Sequence, residues 1–142
     1  MVAVCEAQCS RQQRCTPQKF PTDADKAACV PTCIAKSPSA SVFRDGVLTD
    51  LAACTRDLAC GTSDDVCLTN AAKPLEPDWI ASADSKACAA TYDACKGTPI
   101  GYVDRTCRLF AIFSPSTLSA FNACLAKPCS EVAACVEVVI PL

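Results

Sequence analysis

Apolar positions along this chain recur at steps of three and four residues. Phe43, Val47, Leu48, Leu51, Cys54 and Leu58 form one such series, the stripe an amphipathic helix turns toward a core. Trp79, Ile80, Ala83, Ala87, Cys88 and Cys95 form a second, and Leu118, Phe121, Cys124 and Leu125 a third. Alternation of the strand kind is hard to find. The spacing predicts a helix from Glu6 to about Arg14, broken at Thr16-Pro17. Thr22 caps a second helix through Cys29 and Cys33, which Pro31 should kink or split. Ser39 or Ser41 is the expected cap of the third, closed by Gly61 just past Cys60. A short helix from Ser63 to Asn70 follows. Pro77 opens a long helix to Lys96, ended by Gly97. Further helices are expected over about Tyr102 to Phe113, from Ser114-Pro115, and from Cys129 to Val138.

These elements describe an all-α protein of short helices. Lys73-Pro74-Leu75-Glu76-Pro77 reads as a linker, which divides the chain into a first Cys-rich helical half, residues 1–72, the linker 73–77, and a second half, 78–142. The halves look related. Thr49-Asp50-Leu51-Ala52-Ala53-Cys54 lines up with Ser119-Ala120-Phe121-Asn122-Ala123-Cys124, and Cys60 and Cys67 answer to Cys129 and Cys135. Cys88, Cys95 and Cys107 would answer to members of the Cys5–Cys33 group. An internal duplication, giving two related helical bundles, is the expectation.

Composition changes the picture of what holds such helices together. Half of the 142 residues are apolar, but fourteen of these are Cys and many are Ala, with five Phe, two Tyr and one Trp. Burial stabilises by about 25 cal/mol per Å², so a core of small residues is thin. Cysteine at about a tenth of a chain points to a disulfide scaffold. The even number suits complete pairing. Each bridge closing ten to thirty residues would add on the order of 2–4 kcal/mol. A reducing cytosol would keep the thiols open, so the expected address is extracytoplasmic: periplasm, cell surface or secreted.

Cys5-x3-Cys9 and Cys29-x3-Cys33 give the sharpest local pattern. Residues four apart share a helix face. Two such helices laid antiparallel therefore pair outer with outer and inner with inner, Cys5 with Cys33 and Cys9 with Cys29. A weaker expectation joins Cys95 with Cys107 across Gly97-Thr98-Pro99. Cys15, Cys54, Cys60, Cys67, Cys88, Cys124, Cys129 and Cys135 are left paired in unknown order. The Cys-x3-Cys pair resembles the double-stapled hairpin of plant α-hairpinin peptides, although the nineteen residues between the motifs exceed what those hairpins usually have. The helix containing Ala53-Cys54 or Ala123-Cys124-Leu125, each followed by two more cysteines, resembles Cys-rich secreted or lipoprotein-type helical proteins of myxobacteria. That resemblance implies an extracytoplasmic address and carries no activity.

Several chemistries are disfavoured. There is no His and no Cys-x2-Cys, which argues against zinc, haem attachment and dithiol redox motifs, and no cofactor is expected. Copper(I) storage by thiolates is the metal alternative, since soft sulfur suits that ion and helical-bundle copper storage proteins use Cys-x3-Cys pairs. Without His, neither a Ser-His nor a Cys-His nucleophile can form, so the chain is read as a non-enzyme. Asp23, Asp25, Asp64, Asp65, Glu76, Asp78, Glu131 and Glu137 fit helix first turns or polar faces. A formal charge of −2 with no Lys/Arg cluster beyond Arg11 and Arg14 argues against nucleic acid. No apolar run approaches the roughly 20 residues of a transmembrane span. Met1-Val2-Ala3-Val4 lacks the charged and apolar regions of a secretory leader, so the mature part is read here, and Val4 is a poor fit to lipid modification of Cys5. Trp79 is expected in the core or as a wedge between halves, with contact to a partner as the alternative.

The leading expectation is a non-enzymatic structural or protein-interaction module, an accessory subunit of an envelope or extracellular assembly. Another protein is then the expected partner. A carrier of a small apolar ligand is the second reading. It requires an enclosed cavity lined by residues such as Leu48, Leu51, Phe110 and Phe121.

Overall fold

The computed structural model describes residues 1–95, 107 and 110–140. Among them the chain is helical throughout: α1 (Val2–Cys15), α2 (Asp23–Lys36), α3 (Val47–Asp57), α4 (Asp65–Ala72), α5 (Glu76–Ala81), α6 (Ala83–Ala94), α7 (Pro115–Leu125) and α8 (Cys129–Val139). Short 3-10 turns cover Ala40–Val42, Lys73–Leu75 and Phe110–Ile112. The β-structure among the described residues is one isolated antiparallel bridge, Phe43 to Phe113. None of the described helices is long and apolar enough to cross a membrane.

The chain divides into two compact units, Met1–Ala40 with Asp45–Ala71, and Ser41–Arg44 with Ala72–Leu142. In the first, α1 packs on α3. Cys5, Ala7 and Cys9 are buried on α1, and Val47, Leu51, Ala52 and Thr55 on α3. Small side chains at this contact let the helices approach closely, but they bury little area. In the second unit the core is aromatic. Phe110 lies ring to ring with Phe121 at 3.8 Å and with Phe113 at 5.4 Å, and Trp79 and Phe43 extend the cluster at 6.1 and 5.8 Å. Val132 and Val136 of α8 are buried as well.

All fourteen cysteines are bonded in seven bridges. The first unit holds Cys5–Cys33, Cys9–Cys29, Cys15–Cys60 and Cys54–Cys67. The second holds Cys88–Cys107, Cys95–Cys129 and Cys124–Cys135. The expected Cys95–Cys107 bond is therefore corrected. The indole N–H of Trp79 donates to the Cys107 carbonyl at 2.7 Å. That holds Cys107 beside Cys88, about two turns up α6. Cys95, at the C-terminal end of α6, bonds instead to the first residue of α8.

Other departures have local causes. α2 runs unbroken through Pro31, whose ring and missing N–H cost a helix about 3 kcal/mol. Cys29 and Cys33 flank Pro31 on either side and are both tied to α1. The third helix starts at Val47 rather than near Ser41, because Gly46 turns the chain at φ +85°. Phe43 thereby leaves the α3 stripe for the aromatic core, held by the bonds Arg44 N–H to Ile112 O and Ser114 N–H to Val42 O, each 2.9 Å. Residues 73–77, expected as a linker, are wound into a 3-10 turn and the start of α5 within the second unit. The long helix from Pro77 is cut at Ser82, whose hydroxyl accepts from Ser85 N–H at 3.1 Å and donates to Trp79 O at 2.6 Å. The break turns Trp79 inward. The helix expected over Tyr102 to Phe113 falls mostly outside the described residues; at its end, Phe110–Ile112 form a buried 3-10 turn.

Candidate docking face

α2 is the unusual element of the first unit. Two bridges fix its 14 residues to α1, yet none of them is buried. Its start is specified by a capping box. Thr22 Oγ1 accepts from Asp25 N–H at 3.2 Å, and the Asp25 carboxylate accepts from Thr22 N–H at 3.0 Å. Between α1 and α2 runs an open cleft of about 610 Å³. The bridges Cys9–Cys29 and Cys5–Cys33 border it, with the Gln8 side-chain oxygen 3.4 Å from Cys33 Sγ and that of Gln12 3.7 Å from Cys29 Sγ. A disulfide sulfur carries no hydrogen, so these are packing contacts, and the glutamine amides keep hydrogen-bonding capacity to offer. Phe20 supplies an aromatic surface, and Lys19 and Lys36 supply positive charge.

The other residues singled out from sequence are distributed as follows. Trp79 is 5% exposed, with its indole nitrogen committed to Cys107 and its ring against Phe110. It belongs to the aromatic core of the second unit. Its neighbour Ile80 is 64% exposed. Leu48 and Leu51 belong to the first unit, Phe110 and Phe121 to the second. Within the second unit the rings of Phe110 and Phe121 pack against each other, with centroids 3.8 Å apart. Asp23, Asp25, Asp65, Glu76, Asp78 and Glu131 all sit in first turns of helices. With every cysteine sulfur in an S–S bond, no thiolate is present to hold copper(I). Among the described residues no three His, Cys, Asp or Glu side chains gather as metal ligands.

Arg11 and Arg14, the small basic cluster of the sequence, are structural anchors. Arg14 donates to Arg56 O at 2.9 Å and Leu58 O at 2.7 Å. Arg11 donates to Ala59 O at 3.3 Å, to Thr62 O and to the Asp64 carboxylate. Together they clamp the segment between α3 and α4. Their spacing from Cys15 on one helix was the available signal, but it is readable only once Cys15 is known to bond Cys60.

The chain matches no protein-family model, no curated protein and no solved structure.

Proposed function

We propose that this chain is a non-enzymatic protein-interaction module of an extracytoplasmic compartment, and that the α1–α2 hairpin is its docking face. One observation carries the reading: α2 is doubly tied to α1 and buries none of its own residues. A helix with no fully buried residue, fixed by two covalent bonds, leaves most of its length as surface for a partner. Complete oxidation supports the compartment, because such bridges persist outside the reducing cytosol. The bridge order also supports two copies of one ancestral helical unit. Cys9–Cys29, Cys15–Cys60 and Cys54–Cys67 have counterparts in Cys88–Cys107, Cys95–Cys129 and Cys124–Cys135. Cys5–Cys33 is the additional bond, and it lies on the proposed docking hairpin.

Site-specific photo-crosslinking tests this in the native extracytoplasmic fraction, with the reactive residue in place of Thr32 in the cleft or Ser130 on α8. A discrete protein adduct from position 32, absent from position 130 and lost on adding Gln12→Glu with Lys36→Glu, is the expected result. No adduct from position 32, or equal adducts from both, overturns the docking face. Free thiols at cysteines other than Cys15 and Cys60, in chain isolated under rapid alkylation, would overturn the compartment.

A second reading, carriage of a small apolar ligand, has one observation in its favour. An open cleft of about 450 Å³ is lined by Trp79, Ile80, Ala89 and Tyr92, with Glu76 and Ser85 also on its wall. Trp79 is the single indole of the chain, so a saturable shift of its emission with an aliphatic alcohol would support that reading, and an unchanged spectrum would remove it.

A further inference from the structure

We propose that the Cys15–Cys60 bridge is a thiol-exchange site, opened by a dithiol of the disulfide-oxidoreductase class and closed again without unfolding of the first unit. The inference is independent of the docking face. All fourteen cysteines lie among the described residues, so the bridges can be compared directly. Six of the seven have one buried half, namely Cys5 and Cys9 at 0% exposure, Cys67 at 2%, Cys88 at 0%, Cys95 at 4% and Cys124 at 1%. Cys15–Cys60 has none: Cys60 is exposed and Cys15 half-buried. Exchange requires a thiolate to reach a sulfur atom, so access ranks this bridge first.

The surroundings favour the reaction as well as the approach. A reductant thiolate attacks Cys60 Sγ, forming a mixed disulfide, and the electron pair of the broken S–S bond leaves on Cys15 Sγ. Cys15 follows Arg14 directly and lies one turn beyond Arg11, on the same helix face. A cationic neighbour stabilises a departing thiolate; Arg11 supplies that charge on the Cys15 face, shared with its ion pair to Asp64, and its buried Nε has no hydrogen-bond partner. The second thiol of the reductant then attacks its own sulfur in the mixed disulfide. That releases the Cys60 thiolate and leaves the reductant as a disulfide, two electrons having passed to the bridge. Each thiolate takes up a proton from water.

The open form stays organised because the segment carrying Cys60 is held twice more. The Arg11 and Arg14 clamps bind carbonyls on both sides of it, and the Cys54–Cys67 bond brackets it. The counterpart bridge of the second unit shows what is particular here. Cys95–Cys129 has a buried half, and Thr91 and Ala94 stand where Arg11 and Arg14 stand relative to Cys15.

The test is timed reduction of the native chain by dithiothreitol and by a reduced dithiol oxidoreductase, quenched by alkylation and read by peptide mapping, with far-UV circular dichroism on the same samples. Cys15 and Cys60 should be alkylated first, at least about tenfold ahead of any other pair, since rates follow access. The helical signal should stay unchanged at that stage and the bridge re-form with oxidised glutathione. Another pair opening first, or helical signal lost as this one opens, overturns the proposal. Cys15→Ser with Cys60→Ser should keep six bridges and the native spectrum while losing the fast phase; loss of the spectrum overturns it. Arg11→Gln with Arg14→Gln should slow the first phase several-fold if the guanidiniums stabilise the leaving thiolate. A merely structural role would loosen the segment and speed that phase, and a faster phase refutes the assigned chemistry.

Discussion

Replacing Cys5, Cys9, Cys29 and Cys33 together by alanine should melt α2 and leave α1 on α3. Closing the 20-residue separation of Cys9–Cys29 is worth about 3 kcal/mol in the chain-entropy estimate. Cys5–Cys33 then closes a much shorter additional loop, for a little under 3 kcal/mol more. Against the resulting ~5–6 kcal/mol stand Pro31, at about 3 kcal/mol in a helix interior, and the absence of any buried residue in α2. The capping box at Thr22 returns about 1 kcal/mol. With both bridges gone, a 14-residue helix, already marginal in isolation, is left about 2 kcal/mol unfavourable once Pro31 and the cap are set against each other. It is then helical only a few per cent of the time. With either bridge retained, the balance stays favourable.

The assay is far-UV circular dichroism of the quadruple variant beside each double variant. About a sixth of the α-helical signal should disappear in the quadruple variant, the share that α2 holds of the described α-helix. Either double variant should lose almost none. Trypsin gives an independent readout at Lys26 and Lys36, both within α2, which should become early cleavage sites only when both bridges are absent. Alanine is the best helix former, so the substitutions bias against the predicted loss. A quadruple variant with native ellipticity and an uncut Lys26 would show that packing holds α2, and the argument for a surface-presenting helix would fail with it.

Three further outcomes follow from single side chains. Phe121→Ala removes a fully buried ring in contact with Phe110; it should cost about 3–5 kcal/mol, read from Trp79 emission during denaturant unfolding. Ser82→Ala deletes the cap of α6 and the bond to Trp79 O; a loss of about 1 kcal/mol by the same measurement is expected. Gly46→Ala places a side chain at φ +85° with no atom within 4 Å of the added carbon, so its cost is backbone strain alone, about 1–2 kcal/mol, measured as a lowered midpoint of thermal unfolding; an unchanged midpoint would refute the assignment.

What could be read from the sequence is what depends on neighbours along the chain. Cys-x3-Cys places two sulfurs on one helix face wherever the helix goes, so the α1–α2 bonds can be written before any packing is known. The capping signals at Thr22 and at Ser114 before Pro115 are equally local, and both hydroxyls accept from the helix backbone as such signals require. Tertiary competition decided the rest. The stripe from Phe43 to Leu58 looked continuous, but a positive φ at Gly46 and a bridge to Phe113 take Phe43 into another core. The run from Trp79 to Cys95 has helical spacing throughout, yet burying the indole required a break at Ser82. Nothing local distinguishes Cys88 from Cys95 as the partner of Cys107; the Trp79 hydrogen bond to Cys107 does.

The bridge plan and the exposure of its members lead to one physical account of this chain. The contact between α1 and α3 is made largely of small residues, whereas the second unit is built on a cluster of rings around Phe110, and the first unit carries four bridges where the second carries three. The same contrast governs the paired positions. Cys95 sinks to 4% exposure in the aromatic unit, whereas Cys15 and Cys60 stay near the surface and the arginine clamps share the work of holding the segment between α3 and α4. A bridge that shares its structural role with hydrogen bonds can open at little cost to the fold. A bridge whose sulfur is part of the core opens at greater cost, because opening it exposes the apolar surface that the sulfur covers.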